Sequence, residues 1–147
     1  MNTKRNKLRN YILLTVFLFI TSFILLSACS SQDVKYQRYY ADGSQVYKVH
    51  CQNCHMADGK GLAQLIPPLT DSTYLRKNRG KLACFIVYGL NESIKINGID
   101  YEGIMPAEKH LAAIDLAKVL TYITNSFGNQ QGIYDVNEVE QNLKTCQ

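Results

Sequence analysis

Apolar positions are distributed in three ways along the chain: an unbroken run near the start, short periodic stretches in the middle, and a helical stripe near the end. Residues 11–26 carry no charge, and the polar stretch 30–40, with Gln, Asp, Lys and Arg among tyrosines, reads as a tether. Asp42 is placed to cap a helix over roughly 44–54, with Val46, Tyr47 and His50 spaced along one side. Residues 56–70 contain Gly59, Gly61, Pro67 and Pro68 and read as a loop. Asp71 or Ser72 begins a short helix through Tyr74 and Leu75, and 81–90 is apolar and helical, ending near Gly89. Residues 93–102 alternate around Asn97-Gly98, a strong hairpin signal, and 103–106 form a loop. The longest helix is predicted over 112–127, where Ile114, Leu116, Ala117, Leu120, Ile123 and Phe127 keep a helical period and Gly128 stops it. Residues 135–146 form a last amphipathic stretch, with Val136, Val139 and Leu143 facing inward. The pattern is mostly α with one short hairpin, without repeats or low-complexity tracts.

Charge changes the reading of the first segment. Lys4, Arg5, Lys7 and Arg9 precede the apolar run with no acid among them, and Leu26-Ser27-Ala28-Cys29 follows it. A basic start, a short apolar run and small residues at the end describe a secretory signal. The run is short for a spanning helix, which wants about 20 apolar residues. A cysteine after Leu-Ser-Ala resembles the bacterial lipobox, which implies cleavage at 1–28 and acylation of Cys29. The other reading is an uncleaved anchor helix. Both tether the chain to a membrane with the remainder outside the cytoplasm. The formal charge of +4 belongs to this segment, because four of the sixteen basic residues and none of the twelve acids precede Cys29. The remainder is near neutral, and neither a basic arm nor a phosphate-binding glycine loop points to nucleic acid. About 119 residues remain, enough for one small domain with a limited core.

Cys51-Gln52-Asn53-Cys54-His55 carries the chemistry. Two thiols three positions apart on one helical turn can each form a thioether to a haem vinyl group, with the adjacent imidazole aimed at the iron. A bare C-x-x-C would also suit zinc or thiol redox sites, so the histidine discriminates. Of the five cysteines, lipidation of Cys29 and haem attachment at Cys51 and Cys54 leave Cys84 and Cys146. Outside the cytoplasm these two are expected to pair as a disulfide, the alternative being two free buried thiols.

A haem held by His55 needs a second axial ligand, and the candidates are Met56, Met105, His50 and His110. Met56 neighbours the proximal histidine, and His50 precedes Cys51 on the same side. Met105 lies fifty residues on in Gly-Ile-Met-Pro-Ala, between hairpin and long helix, with Pro106 stiffening its loop. It is the expected ligand, with His110 as the fallback.

The order C-x-x-C-H, Gly-rich loop, Pro-x-Leu, helices, Met-Pro and a long helix with an aromatic resembles a small class I monohaem c-type cytochrome over roughly 41–129. The resemblance implies a cytochrome c-like helical domain with one covalent haem c and His55/Met105 ligation. It also implies a crossing in which Gly43, Val46 and Tyr47 meet Leu120, Tyr122 and Ile123. Pro67, twelve residues past the histidine, would accept a hydrogen bond from its second ring nitrogen, with Leu69 as a packing residue. The expected organisation is a lipoprotein signal peptide over 1–28, a tether over 29–40, the cytochrome domain over 41–129 and a C-terminal extension over 130–147.

With both axial positions filled, the site leaves no vacancy for substrate, and the expected function is electron carriage rather than catalysis. Redox proteins are the expected partners (an oxidase, a reductase or a quinol-linked complex), together with a membrane through the lipid anchor. The alternative is a haem-based sensor, or the electron-entry module of a periplasmic oxidoreductase complex. Arg76, Lys77, Arg79 and Lys81 form a basic cluster, either a steering patch for an acidic partner or an ordinary solvated loop.

Overall fold

A computed structural model describes residues 2–26 and 31–146. The lipidation candidate Cys29 and the Ser27–Ala28 pair before it lie outside the described residues. The chain divides into two units, Met1–Lys35 and Tyr36–Gln147. In the first, α1 (Asn2–Leu26) exposes its large apolar side chains, Phe17 and Phe19 among them. No described helix is long and apolar enough to cross a membrane.

The second unit is organised around α6 (Ala113–Ile123), whose Leu116, Ala117, Val119, Leu120 and Ile123 are buried. Across it runs α2 (Ser31–His50). A Cβ on Gly43 would lie 2.0 Å from the Lys118 carbonyl oxygen and 3.0 Å from Tyr122 Cβ, so the bare backbone allows this crossing. Tyr47 packs on Tyr122 and Phe127 with ring centroids 5.3 and 5.5 Å away, and Lys118 pairs with Asp42 at 3.1 Å. Asp42 is therefore mid-helix, not a cap.

The tether reading does not describe residues 31–40. They are helical, and from Tyr36 onward they belong to the compact unit. The Tyr40 ring packs tilted on Tyr122 with centroids 5.2 Å apart, and its hydroxyl accepts a hydrogen bond from Ser126 Oγ at 2.9 Å. Tyr36, Tyr40, Gly43 and Tyr47 follow helical spacing, but the polar residues between them mask the stripe until its aromatic partners Tyr122 and Phe127 are known.

α3 (Gln52–His55) follows α2, then a loop leads to α4 (Ser72–Lys77). Asp71, rather than Ser72, caps α4, its Oδ1 accepting from Thr73 and Tyr74 amides at 2.9 and 3.0 Å. A 3₁₀ turn (Arg79–Lys81) leads into α5 (Leu82–Tyr88), and Gly89 ends it at φ +75°. The expected hairpin is β1 (Ile94–Ile96) paired antiparallel with β2 (Ile99–Tyr101), Ile96 opposite Ile99. Asn97 at φ +51° and Gly98 at φ +82° make the tight turn. The long helix stops at Ile123, four residues before its predicted end. Thr124 Oγ1 turns back to the Leu120 carbonyl at 2.6 Å, and Asn125 Oδ1 accepts the Gln131 and Gly132 amides at 3.0 and 2.8 Å. Side chains thus replace the next helical turn.

Residues 130–146, expected as an extension, contribute core. Tyr134 and Val139 are fully buried, and α7 (Val136–Leu143) packs on α5 and α6. Cys84 on α5 is disulfide-bonded to Cys146, with Cα atoms 5.6 Å apart. Arg79 belongs to this join rather than to a steering patch. Its guanidinium binds Glu138 through Nε at 2.6 Å and Nη2 at 2.8 Å, and Nη2 also donates to the Ile133 carbonyl at 2.9 Å. It lies 4.3 Å over the Tyr134 ring.

Tyr134 donates to the Arg79 carbonyl and accepts from Asn142 Nδ2 at 2.7 Å. Burial pushes its phenol up to about 12; Glu138 adds to this, while Arg79 and Asn142 pull the other way. An unfolded phenol titrates near 10, so the folded state keeps this proton to higher pH. The contribution is fully present below pH ~10 and is lost as pH rises through about 12. Denaturant unfolding as a function of pH is expected to show stability falling across that alkaline window, and Tyr134→Phe to flatten the fall. Tyr134→Phe should also cost about 1 kcal/mol at neutral pH through its lost hydrogen bonds. An alkaline slope identical in Tyr134→Phe would assign the loss to other buried phenols.

Candidate functional site

α2 ends at His50 because Cys51 leaves helical geometry, at φ −122° and ψ −35°. Its amide still reaches the Tyr47 carbonyl at 2.9 Å, while its own carbonyl accepts from Cys54 at 3.1 Å and His55 at 2.9 Å. The chain thereby restarts as the single turn α3, and Cys51, Cys54 and His55 all line one cavity. Neither Cys51 nor Cys54 is in a disulfide. Burial pushes the Cys51 thiol up to about 12, with the charges of Glu108 and Cys54 adding to it.

His55 is buried, and its Nδ1 lies 3.1 Å from the Pro67 carbonyl oxygen. A carbonyl only accepts, so Nδ1 carries the hydrogen and Nε2 keeps its lone pair. Burial lowers the imidazole's pKa, and the bond to Pro67 partly opposes this. The ring is therefore held neutral and in the tautomer that a metal ligand requires. The loop that supplies Pro67 is shaped by Gly61, at φ +67°, where a Cβ would meet the Ile66 carbonyl oxygen at 2.1 Å.

Met105 lines the same cavity. Its amide donates to the Leu90 carbonyl at 2.9 Å, and its carbonyl accepts from the Leu90 amide at 3.0 Å. This two-bond bridge needs Gly89, because a Cβ there would lie 2.5 Å from the Met105 carbonyl oxygen. The other ligand candidates stand elsewhere. His110 is exposed, and His50 is exposed and paired with Glu108 at 3.2 Å. The Met56 carbonyl accepts from Tyr47 Oη at 2.6 Å. None of these three lines the cavity.

The remaining walls are apolar: the 65–69 loop, which includes Leu69, then Leu75, residues of α5, β1 and β2, and Leu120 with Ile123 of α6. Tyr74 and Tyr101 are the polar exceptions among them. An apolar cavity with two thiols, a neutral imidazole and a thioether on its walls fits a covalently attached haem. Two contributors carried no sequence signal for this role. Tyr47 fixes the carbonyl after His55, and Asn129 holds the Leu69 carbonyl at 2.8 Å.

Comparison with known proteins gives a consistent answer. The family described as "Cytochrome c" matches residues 40–127. Cytochrome c-552 of Thermus thermophilus is 31% identical over 97 residues, covering 63% of this chain and 73% of the relative. A second cytochrome c-552, from a named strain of the same species, is also 31% identical over 97 residues, with 65% of its length covered. The fructose dehydrogenase cytochrome subunit of Gluconobacter japonicus is 29% identical over 108 residues, and the chain spans only 21% of it.

Proposed function

The chain belongs to the cytochrome c family, and from that premise we propose that it is a membrane-tethered single-electron carrier whose iron is held by His55 and Met105. As a class I c-type cytochrome it carries one covalent haem c and transfers electrons through it. The observation that supports the finer reading is convergence: Cys51, Cys54, His55 and Met105 line one cavity although fifty residues separate the last two. Bound haem supplies a one-electron iron couple.

The residues do the rest. Cys51 and Cys54 supply the thioether links, and the hydrogen bond to Pro67 orients the His55 ring. The thioether of Met105 favours reduced iron, and the apolar walls exclude water. With two protein ligands no site is left for a substrate. Partners are redox proteins that dock briefly at the cavity mouth.

The tether is proposed from the N-terminal segment. Four basic residues, the apolar run 11–26 and Cys29 suit an acylated lipoprotein on the extracytoplasmic face. The similarity to a dehydrogenase cytochrome subunit favours a second reading, an electron-entry module of an oxidoreductase complex. Copurification of a tightly bound dehydrogenase would select it.

A reduced-minus-oxidised visible spectrum tests the carrier reading. Sharp α and β bands that stay with the protein through acid-acetone extraction are expected. A colourless, zinc-containing protein would sink the proposal.

A further inference from the structure

Two consecutive prolines leave residues 67 and 68 without an amide donor. On the near side Ile66 is held by a two-bond bridge to Leu62 at 3.1 and 3.2 Å, and on the far side the first residue able to anchor the segment through its amide is Leu69. The Leu69 amide donates to the Gly59 carbonyl at 2.7 Å. The Leu69 carbonyl accepts from Asn129 Nδ2 at 2.8 Å, and the same nitrogen donates to the Ile123 carbonyl at 3.0 Å. Asn129 is 2% exposed, and its own amide is tied to the Ser126 carbonyl at 2.9 Å.

The orientation of this side chain is settled by its neighbours. Two carbonyl oxygens face Nδ2, and a flipped amide would set Oδ1 against both. In the observed orientation Oδ1 has no hydrogen-bond partner among the described residues. The fold thus leaves a buried acceptor unpaired while keeping both donor bonds of Asn129. Those bonds join the loop beneath His55 to the end of α6, and Asn129 itself stands two residues beyond the stretch matched by the family.

We infer that Asn129 is a positioning residue for His55. By holding the Leu69 carbonyl, it fixes the height of the Pro67 carbonyl against the His55 Nδ1–H. That bond governs the basicity of Nε2, and an electron-rich imidazole stabilises oxidised iron. Loosening the loop weakens the bond and raises the reduction potential. The inference rests on His55 as the iron ligand, and the experiment separates the two.

Midpoint potential, thermal midpoint and, in the reduced form, the His55 Nδ1–H proton resonance are measured in the wild-type holoprotein and in Asn129→Ala, Asn129→Leu and Val139→Ala. Leucine keeps the branched shape without a donor or a charge. Both Asn129 variants are expected to raise the potential, move the Nδ1–H resonance upfield and speed its exchange with solvent. Val139→Ala, which opens a void in the core away from the loop, is expected to lower the thermal midpoint only. Asn129→Ser, with one donor on a shorter arm, supplies a milder variant should the others lose haem, with the same signs and smaller size. Asn129 variants that lose stability but keep the wild-type potential and Nδ1–H resonance would overturn the inference. A wild-type protein without a low-spin, histidine-ligated spectrum would instead overturn the ligand assignment beneath it.

Discussion

Met105→Ala is expected to lower the reduction potential sharply and to let carbon monoxide bind the reduced protein. A thioether is a soft ligand that favours the reduced metal, and its loss removes that preference. Axial ligands span roughly 0.8 V of haem potential, so the shift should exceed anything an outer-sphere change produces. Alanine cannot reach the iron, and no other candidate ligand is poised to replace it. His110 is exposed and off the cavity, and His50 is engaged with Glu108 at 3.2 Å. Potentiometric titration and a carbon monoxide difference spectrum measure both effects. Met105→His should also lower the potential but refill the position and exclude carbon monoxide. Unchanged potential and spectrum in Met105→Ala would remove Met105 from the ligand set. Carbon monoxide binding by the unaltered protein would favour a sensor with a labile methionine.

Removing the Cys84–Cys146 disulfide is expected to be the largest single loss of stability short of losing haem. The bond joins residues 62 positions apart and so restricts more than half of the compact unit in the unfolded chain. Loop-closure entropy for that span is worth about 4 kcal/mol, against a typical total of about 5–15 kcal/mol. For a domain of this size the double replacement Cys84→Ser with Cys146→Ser should lower the thermal midpoint by roughly 10–25 °C. Circular dichroism melting of the variant, beside wild type with and without reductant, measures it. A drop of only a few degrees would mean that Arg79, Tyr134 and Val139 hold the C-terminal segment without the bond. The loss should reach the cavity, because Cys84 sits on α5 next to Phe85, which lines the cavity wall.

Local chemistry was readable wherever its reason is local. Two thiols and an imidazole on one turn require the spacing of Cys51, Cys54 and His55, and a two-residue turn with both residues at positive φ calls for Asn97-Gly98. The start of a short helix at Asp71 or Ser72 is legible for the same kind of reason. A residue's role is not legible where it depends on a distant partner. Arg79 looked like one charge in a basic cluster, since nothing nearby in the chain announces Glu138 or the Tyr134 ring. Residues 31–40 looked like a tether because their polar composition outweighs a tyrosine stripe whose value appears only against Tyr122.

The amino-acid sequence alone determined the C-x-x-C-H motif, the hairpin and a mostly helical pattern, because these follow from covalent spacing, backbone preference and periodicity. Only the tertiary structure decided that Met105 shares a cavity with His55 while His110 does not, and that residues 130–146 complete the core. It alone assigned Asn129 to the loop beneath the histidine. Those outcomes depend on which backbones can approach closely, at Gly43, Gly61 and Gly89 above all. Close approach is a property of packed pairs of segments, and no single segment encodes it.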